Sequence, residues 1–217
     1  MEGNLSTAFQ CSRLTMEHVD TPEELRRFKL SRWLKYTIAG WFLCIPAILL
    51  VSGLIESIGL SSFNFPVGVG AGTAMGGMQA LALRKVLRYP SRWLFTTAAG
   101  LTVPFLFLDL IRLVGHPLAD MIYLAALSGG LLVGIFQATL IAELEQARAR
   151  WILASTTAWG LTAGALWLAD SIPLQGLSKG SHGIIAALVY LLIAGSGSLL
   201  LGLVTGKALT RTISNGR

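Results

Sequence analysis

Two glutamines, Gln79 and Gln137, stand inside long apolar runs. An amide in that setting can do three kinds of chemistry. It can line the path of a polar solute. It can ligate the metal of a pigment. It can bridge to a neighbouring helix, a bond worth about 0.6–2 kcal/mol in lipid. Bridging asks least of the sequence and carries most weight. Thr205 falls at the matching point of a third run and breaks any strict threefold ring of ligands. Asp109 and Arg112 are three apart, so they can pair along one helix face. Ionisable groups within apolar spans are functional candidates. This pair lies in the outer third of its run, where a structural ion pair is the plainer role.

Little else suggests a reaction. His18 lies in the N-terminal tail, and His116 and His182 lie between apolar runs. No two of them share a metal-ligand spacing, so no metal site is expected. Cys11 and Cys44 fall in the tail and in a run, which argues against a structural disulfide. Gly68-x-Gly70 follows no strand and is no dinucleotide motif. No catalytic residues are assigned, and the chain reads as a non-enzyme.

The elements that must position these residues are apolar helices. Hydrophobic residues make up 53% of the 217 and charged residues 13%, roughly half the ~25% of a soluble domain. Mean hydropathy is +0.65. Six spans can be read, at about 34–56, 66–86, 93–114, 119–142, 151–169 and 183–207, each near the ~20 residues that cross the hydrocarbon. The fourth is the clearest, with no charge between Met121 and Ile141. The second is the most ambiguous because of its glycines. More than thirty mostly polar residues precede the first span, which therefore reads as a permanent helix and not a cleavable signal. The fold class expected is all-α: an integral membrane bundle of six transmembrane helices, built as three parallel helical hairpins.

The repeat is carried by small residues four apart. Gly68, Gly72, Gly76 and Ala80 form one stripe. Ala126, Gly130, Gly134 and Ala138 match it at +58, and Ala194, Ser198, Gly202 and Gly206 follow at a further +68. Such a stripe lets two backbones approach, and van der Waals contact then replaces the absent hydrophobic drive between helices in lipid. The other helix of each hairpin also repeats: Arg32-Trp33, Arg92-Trp93 and Arg150-Trp151 open it, with Thr37, Thr97 and Ser155 four residues on and Gly40, Gly100 and Ala158 seven on. Trp beside Arg suits a headgroup layer, so Trp33, Trp93 and Trp151 are expected as interface anchors. The repeats span about 32–88, 92–145 and 150–211, within a membrane domain at 32–213. A tail at 1–31 precedes it and 214–217 follow. Thr21-Pro22-Glu23-Glu24 predicts a short basic helix in that tail. Pro104 is expected to kink the third span.

Fifteen of the seventeen lysines and arginines fall in the N-terminal segment, the second and fourth connections and the C-terminal end. Basic connections stay inside, so both termini are expected in the cytoplasm. The net charge of +6 restates this asymmetry. Anionic lipid headgroups are the expected partners of the basic loops, and nucleic acid is not, since no basic module with interleaved aromatics is present.

Gly76, Gln79 and Trp93 share their spacing with Gly134, Gln137 and Trp151. This pattern resembles a loose group of bacterial polytopic membrane proteins, frequent in cyanobacteria, with G-x-x-x-G-x-x-Q helices and helices opened by Arg-Trp. The resemblance covers the six spans and not the tail. It implies a bacterial inner or thylakoid membrane and a repeated-hairpin architecture, and no activity. The chain departs from the group at Glu143 and Glu145, where Leu-Arg is usual, and at Thr205, where Gln is missing.

The expected function is a membrane scaffold or accessory subunit that packs against other integral subunits or its own copies, with lipid and no cofactor. Two alternatives stay open. A transporter or channel would run its path past Gln79, Gln137 and Thr205. A photosynthetic subunit would hold chlorophyll or carotenoid, with Trp41, Trp159 and Trp167 as walls. Topology is the direct test of the span count. Cysteine labelling should place positions near Arg88, Arg148 and Arg217 in the cytoplasm and positions near Asn64 and Lys179 outside. External labelling near Arg88 would sink the six-span arrangement.

Overall fold

The computed structural model describes residues 29–60, 63–87, 89–115, 121–141, 145–171 and 181–215, with side-chain surroundings for all but 145–147, 181–187 and 212–215. Regular structure among the described residues is entirely helical. The helices are α1 Leu30–Ser57, α2 Phe65–Leu83, α3 Pro90–Leu113, α4 Ile122–Ala138, α5 Glu145–Ser171 and α6 Ser181–Asn215. The short helix expected from Pro22 lies outside the described residues.

Local sequence sets the helix ends. Pro66 and Pro90 sit in the first turns of α2 and α3, where a missing N–H costs nothing and the fixed φ suits a helix. Gly59 at φ +85 and Gly115 at φ +89 close α1 and α3, a conformation that penalises any residue with a Cβ. Their amides turn back to Glu56 O at 2.9 Å and Arg112 O at 3.0 Å. Pro46 and Pro104 are carried inside α1 and α3.

Four helices are long and apolar enough to cross a membrane: α1, α3, Arg148–Ser171 of α5 and Leu188–Arg211 of α6. The six spans read from sequence meet that standard only in part. The fourth was expected over 119–142, but α4 stops at Ala138 and has 17 residues. It rises about 26 Å, less than the ~30 Å of a hydrocarbon core. The 19-residue α2 carries five glycines, which dilute its apolar character. Bulky apolar side chains cover the outside, with Leu49, Phe95, Phe107 and Leu192 all more than half exposed.

Each helix packs on its neighbours in sequence, and α6 returns to pack on α1. The helices form a closed ring. Two kinds of contact alternate around it. Within α1–α2 and α3–α4, a Cβ built at Gly40 would come within 3.2 Å of Met75 Cα, and one at Gly100 within 2.8 Å of Val133 Cα. Ala158 and Leu201, at the matching positions, are buried in the same cluster as Met75 and Val133. The small-residue stripes make the other contacts. Gly68, Gly72 and Gly76 face Leu101, Ala98 and Thr97 of α3. Gly130 and Gly134 face Trp159 and Ser155 of α5. Gly202 and Gly206 face Thr37 and Trp33 of α1. The position at Gly76, Gly134 and Gly202 therefore meets Thr97, Ser155 and Thr37 in turn, although the last contact joins opposite ends of the chain. Ala80 and Ala138 enter the tryptophan-containing core. Ser198 is buried and bonds its own helix at Gly195 O.

At Gly72 an added Cβ would lie 2.6 Å from Ala98 Cα. Backbone cannot yield as a side chain can, so α2 and α3 must separate. Gly72→Ala is expected to cost about 1–3 kcal/mol. Gly164 faces open space on α5, and Gly164→Ala should cost nothing. Melting temperatures of the two purified variants check this. Equal values would show that the stripe contact does not limit packing.

Candidate functional site

Two apolar cores occupy the ring. One contains Trp33, Trp93 and Trp151 with Ala80, Leu83, Ala138 and Leu209. The other contains Cys44, Met75, Leu101, Val133, Ala158 and Leu201. Every helix contributes a buried polar residue at a matching position: Thr37, Gln79, Thr97, Gln137, Ser155 and Thr205 in chain order; Asp109, Thr162 and Ser198 are buried besides. The six matching residues form a belt across the bundle.

The belt is hydrogen-bonded mostly to itself and to the tryptophans. Trp93 Nε1 donates to Gln79 Oε1 at 3.1 Å, and Trp33 Nε1 donates to Thr205 Oγ1 at 3.1 Å. Gln137 Nε2 donates to Thr97 Oγ1 at 2.8 Å, and Thr97 in turn donates to Trp93 O at 2.7 Å. Ser155 Oγ donates across to Gly130 O at 2.9 Å. The three residues singled out as a polar site, Gln79, Gln137 and Thr205, thus share one layer and bind its indoles and hydroxyls.

Among the described residues, two buried side-chain atoms lack a partner: Thr37 Oγ1 and Trp151 Nε1. Their positions have an order. Trp151 matches Trp93, which reaches the glutamine of the preceding helix; the corresponding acceptor for Trp151 is Gln137 Oε1. Thr37 matches Thr97, which accepts from the glutamine of the following helix; the corresponding donor is Gln79 Nε2. Each glutamine makes one of two equivalent bonds, and the two bonds not made account for both orphan atoms. A buried unpaired group costs about 1–3 kcal/mol.

The tryptophans correct the reading of Trp33, Trp93 and Trp151 as interface anchors. They are 1%, 0% and 1% exposed. Trp33 meets Trp93 edge-on at 6.0 Å and 87°, and Trp93 meets Trp151 at 5.5 Å and 62°. The reason is room. The last residue of each stripe, Ala80, Ala138 or Gly206, is too small to fill its place, and an indole takes it; a Cβ at Gly206 would lie 2.8 Å from Trp33 Cδ1. The neighbouring arginines do face outward. Arg32 Nη2 donates to Leu81 O at 3.2 Å, and Arg92 stacks over Tyr89.

Asp109 is buried and serves the start of α2. Its carboxylate accepts from Asn64 N at 2.7 and 2.9 Å, Asn64 Nδ2 at 2.9 Å and Phe65 N at 2.7 Å. It caps from outside the helix the free N–H groups that every helix start leaves. Arg112, expected beside it, is exposed on α3. At the same end, Tyr123 donates to Asp170 and ties the start of α4 to the end of α5. On the far side of the polar belt is a cavity of about 240 Å³, walled by Trp41, Ile48, Phe105, Trp159, Tyr190 and Ala194 among others, with all six helices contributing. Among the described residues, no three His, Cys, Asp or Glu residues gather as for a metal ion.

Comparison with protein families, with curated proteins and with solved structures finds no match to this chain.

Sequence reasoning paired Thr37, Thr97 and Ser155 as repeats without giving them chemistry. A signal was present: Ala80 precedes Trp93, and Ala138 precedes Trp151, by the same thirteen residues. A fixed distance across a loop marks two residues that meet. The belt predicts unequal effects of removing an indole N–H. Trp93→Phe strands Gln79 Oε1 and should lose about 1–3 kcal/mol. Trp151→Phe removes a donor that makes no bond and should lose clearly less. Thermal melts of both variants decide. Equal losses would mean that Trp151 is bonded in solution.

Proposed function

We propose that this chain is a six-span membrane protein, three hairpins about a pseudo-threefold axis, that acts as a scaffold or accessory subunit of a larger membrane assembly without catalysis of its own. The hairpins are α1–α2, α3–α4 and α5–α6. Support for the repeat comes from contacts at matching positions, including those of α6 on α1. The basic connections lie in the cytoplasm of a bacterial cell, in the inner or thylakoid membrane. The short α4 and the glycine-rich α2 cross within the ring, where neighbours cover them.

One observation carries the scaffold reading: three indoles in edge contact close the axis, and Gln79, Gln137 and Thr205 are each hydrogen-bonded within it. A solute path past Gln79, Gln137 and Thr205 would have to break bonds to Trp93, Thr97 and Trp33 and part three indoles in edge contact. What remains for partners is the outer surface. Lipids cover most of it, and other integral subunits or further copies of the chain cover the rest.

The pigment alternative has an observation of its own in the axial cavity walled by Trp41 and Trp159. Such a cavity could take the apolar part of a carotenoid or a chlorophyll tail. Purification in mild detergent separates these readings. A native gel should show the chain in a particle larger than one copy, colourless, with its partner subunits or copies. Visible absorption that moves with the band would favour the pigment subunit. A lone chain that carries a solute flux in liposomes would overturn the scaffold.

A further inference from the structure

A trough of about 440 Å³ runs down the outside of the ring between α1, α2 and α3. Leu43 of α1 and Leu94 of α3 form its walls, and Thr73, Gly77 and Leu81 of α2 lie along its floor. Gly77 is not a packing glycine: a Cβ there would meet only Leu94 Cδ1, at 3.5 Å, whereas Gly72 and Gly76 are pressed on α3. Thr73 bonds its hydroxyl back to Val69 O and Gly70 O, so the floor offers no free donor. From Thr73 to Leu81 the surface is apolar.

One end is different. Arg84 closes the trough together with Pro90 and Ser91, at the start of α3. Arg84 is exposed, and no hydrogen bond or ion pair holds it among the described residues. The Arg32 guanidinium lies close by on Leu81 O, and Lys35, Lys85 and Arg92 are exposed on the same helix ends. The sequence places no Asp or Glu between residues 25 and 55 or between 57 and 108. The cations at this mouth therefore face no carboxylate from α1, from α2 or from the first part of α3.

We propose that this trough binds one anionic phospholipid, with an acyl chain along Gly77 and the phosphate at Arg84. The dimensions suit it. From Thr73 to Arg84 the helix rises about 16 Å, roughly half of a ~30 Å hydrocarbon core and so one leaflet. The trough also belongs to α2 alone. At the positions matching Thr73 and Gly77, α4 carries Leu131 and Ile135 and α6 carries Leu199 and Leu203. The repeat would fill this space; the first hairpin leaves it open beside a basic mouth. The inference rests on the membrane location proposed above and not on the scaffold role.

Native mass spectrometry of the full chain in mild detergent tests it, with dioleoyl phosphatidylglycerol and dioleoyl phosphatidylcholine as probes. One phosphatidylglycerol should be retained in preference to phosphatidylcholine. Gly77→Leu should abolish that adduct without changing the melting temperature, since the new side chain enters open space. Arg84→Gln should weaken phosphatidylglycerol by about fivefold, the effect of one basic contact, and leave phosphatidylcholine unchanged. Should Gly77→Leu fail to fold, Arg84→Gln decides alone. Equal retention of the two lipids, or an adduct that survives both substitutions, would overturn the site. Displacement by inorganic phosphate would overturn it too, because a lipid is held by its chain as well. So would a second polypeptide released by Gly77→Leu, which would make the trough a helix-docking surface. Lipid retention is read on the single chain, so this inference and the scaffold role can fail separately.

Discussion

Close helix contacts at small residues hold this ring together. In water, apolar faces would be driven together whatever their shape. In lipid the solvent is as apolar as leucine, and only close contact favours helix over hydrocarbon. Gly72 against Ala98, Gly134 against Ile152 and Ser155, and Gly202 against Leu34 and Thr37 supply that contact. The rest follows from it. Helices so near have no room for bulk between them, so bulk moves to the axis, where Met75, Val133 and Leu201 fill one level and the tryptophans another.

The polar belt is the second condition. The six polar residues of the belt would be costly if left alone, and five of them are hydrogen-bonded, to one another, to the indoles or to backbone carbonyls. The glutamine amide suits the task because it donates at one end and accepts at the other, so it can join an indole to a hydroxyl. Thr205 keeps only part of this: it accepts from Trp33 and donates back to Leu201 O of its own helix, so it joins no second helix. Asp109 does similar service at the opposite end by supplying acceptors to the start of α2.

Much of the helical plan was legible. Apolar runs gave the helices, and spacing by four gave the faces that meet. Helix ends were less so: α4 stops at Ala138 because the chain turns at Thr139 and Leu140, which composition does not mark. The tryptophans were misread for a physical reason. An indole next to Arg fits a headgroup layer and a bundle interior equally well, and the neighbour that decides, such as Gly206 for Trp33, lies at the other end of the chain. Ring closure was out of reach for the same reason. Hairpins in a row and hairpins in a circle share their local sequence. The trough at Gly77 was hidden by company, one glycine among many, and only its empty surroundings set it apart.

The contact of α6 with α1 has a consequence for how the protein is made. It has the same form as the contacts of α2 with α3 and of α4 with α5, yet no loop enforces it. A nascent chain released from synthesis one helix short has a free Trp33 face, and a complete chain whose ring has opened has two complementary free edges. Nothing in the chemistry of those edges distinguishes the chain's own sixth helix from that of another molecule. Intramolecular closure is favoured by proximity alone.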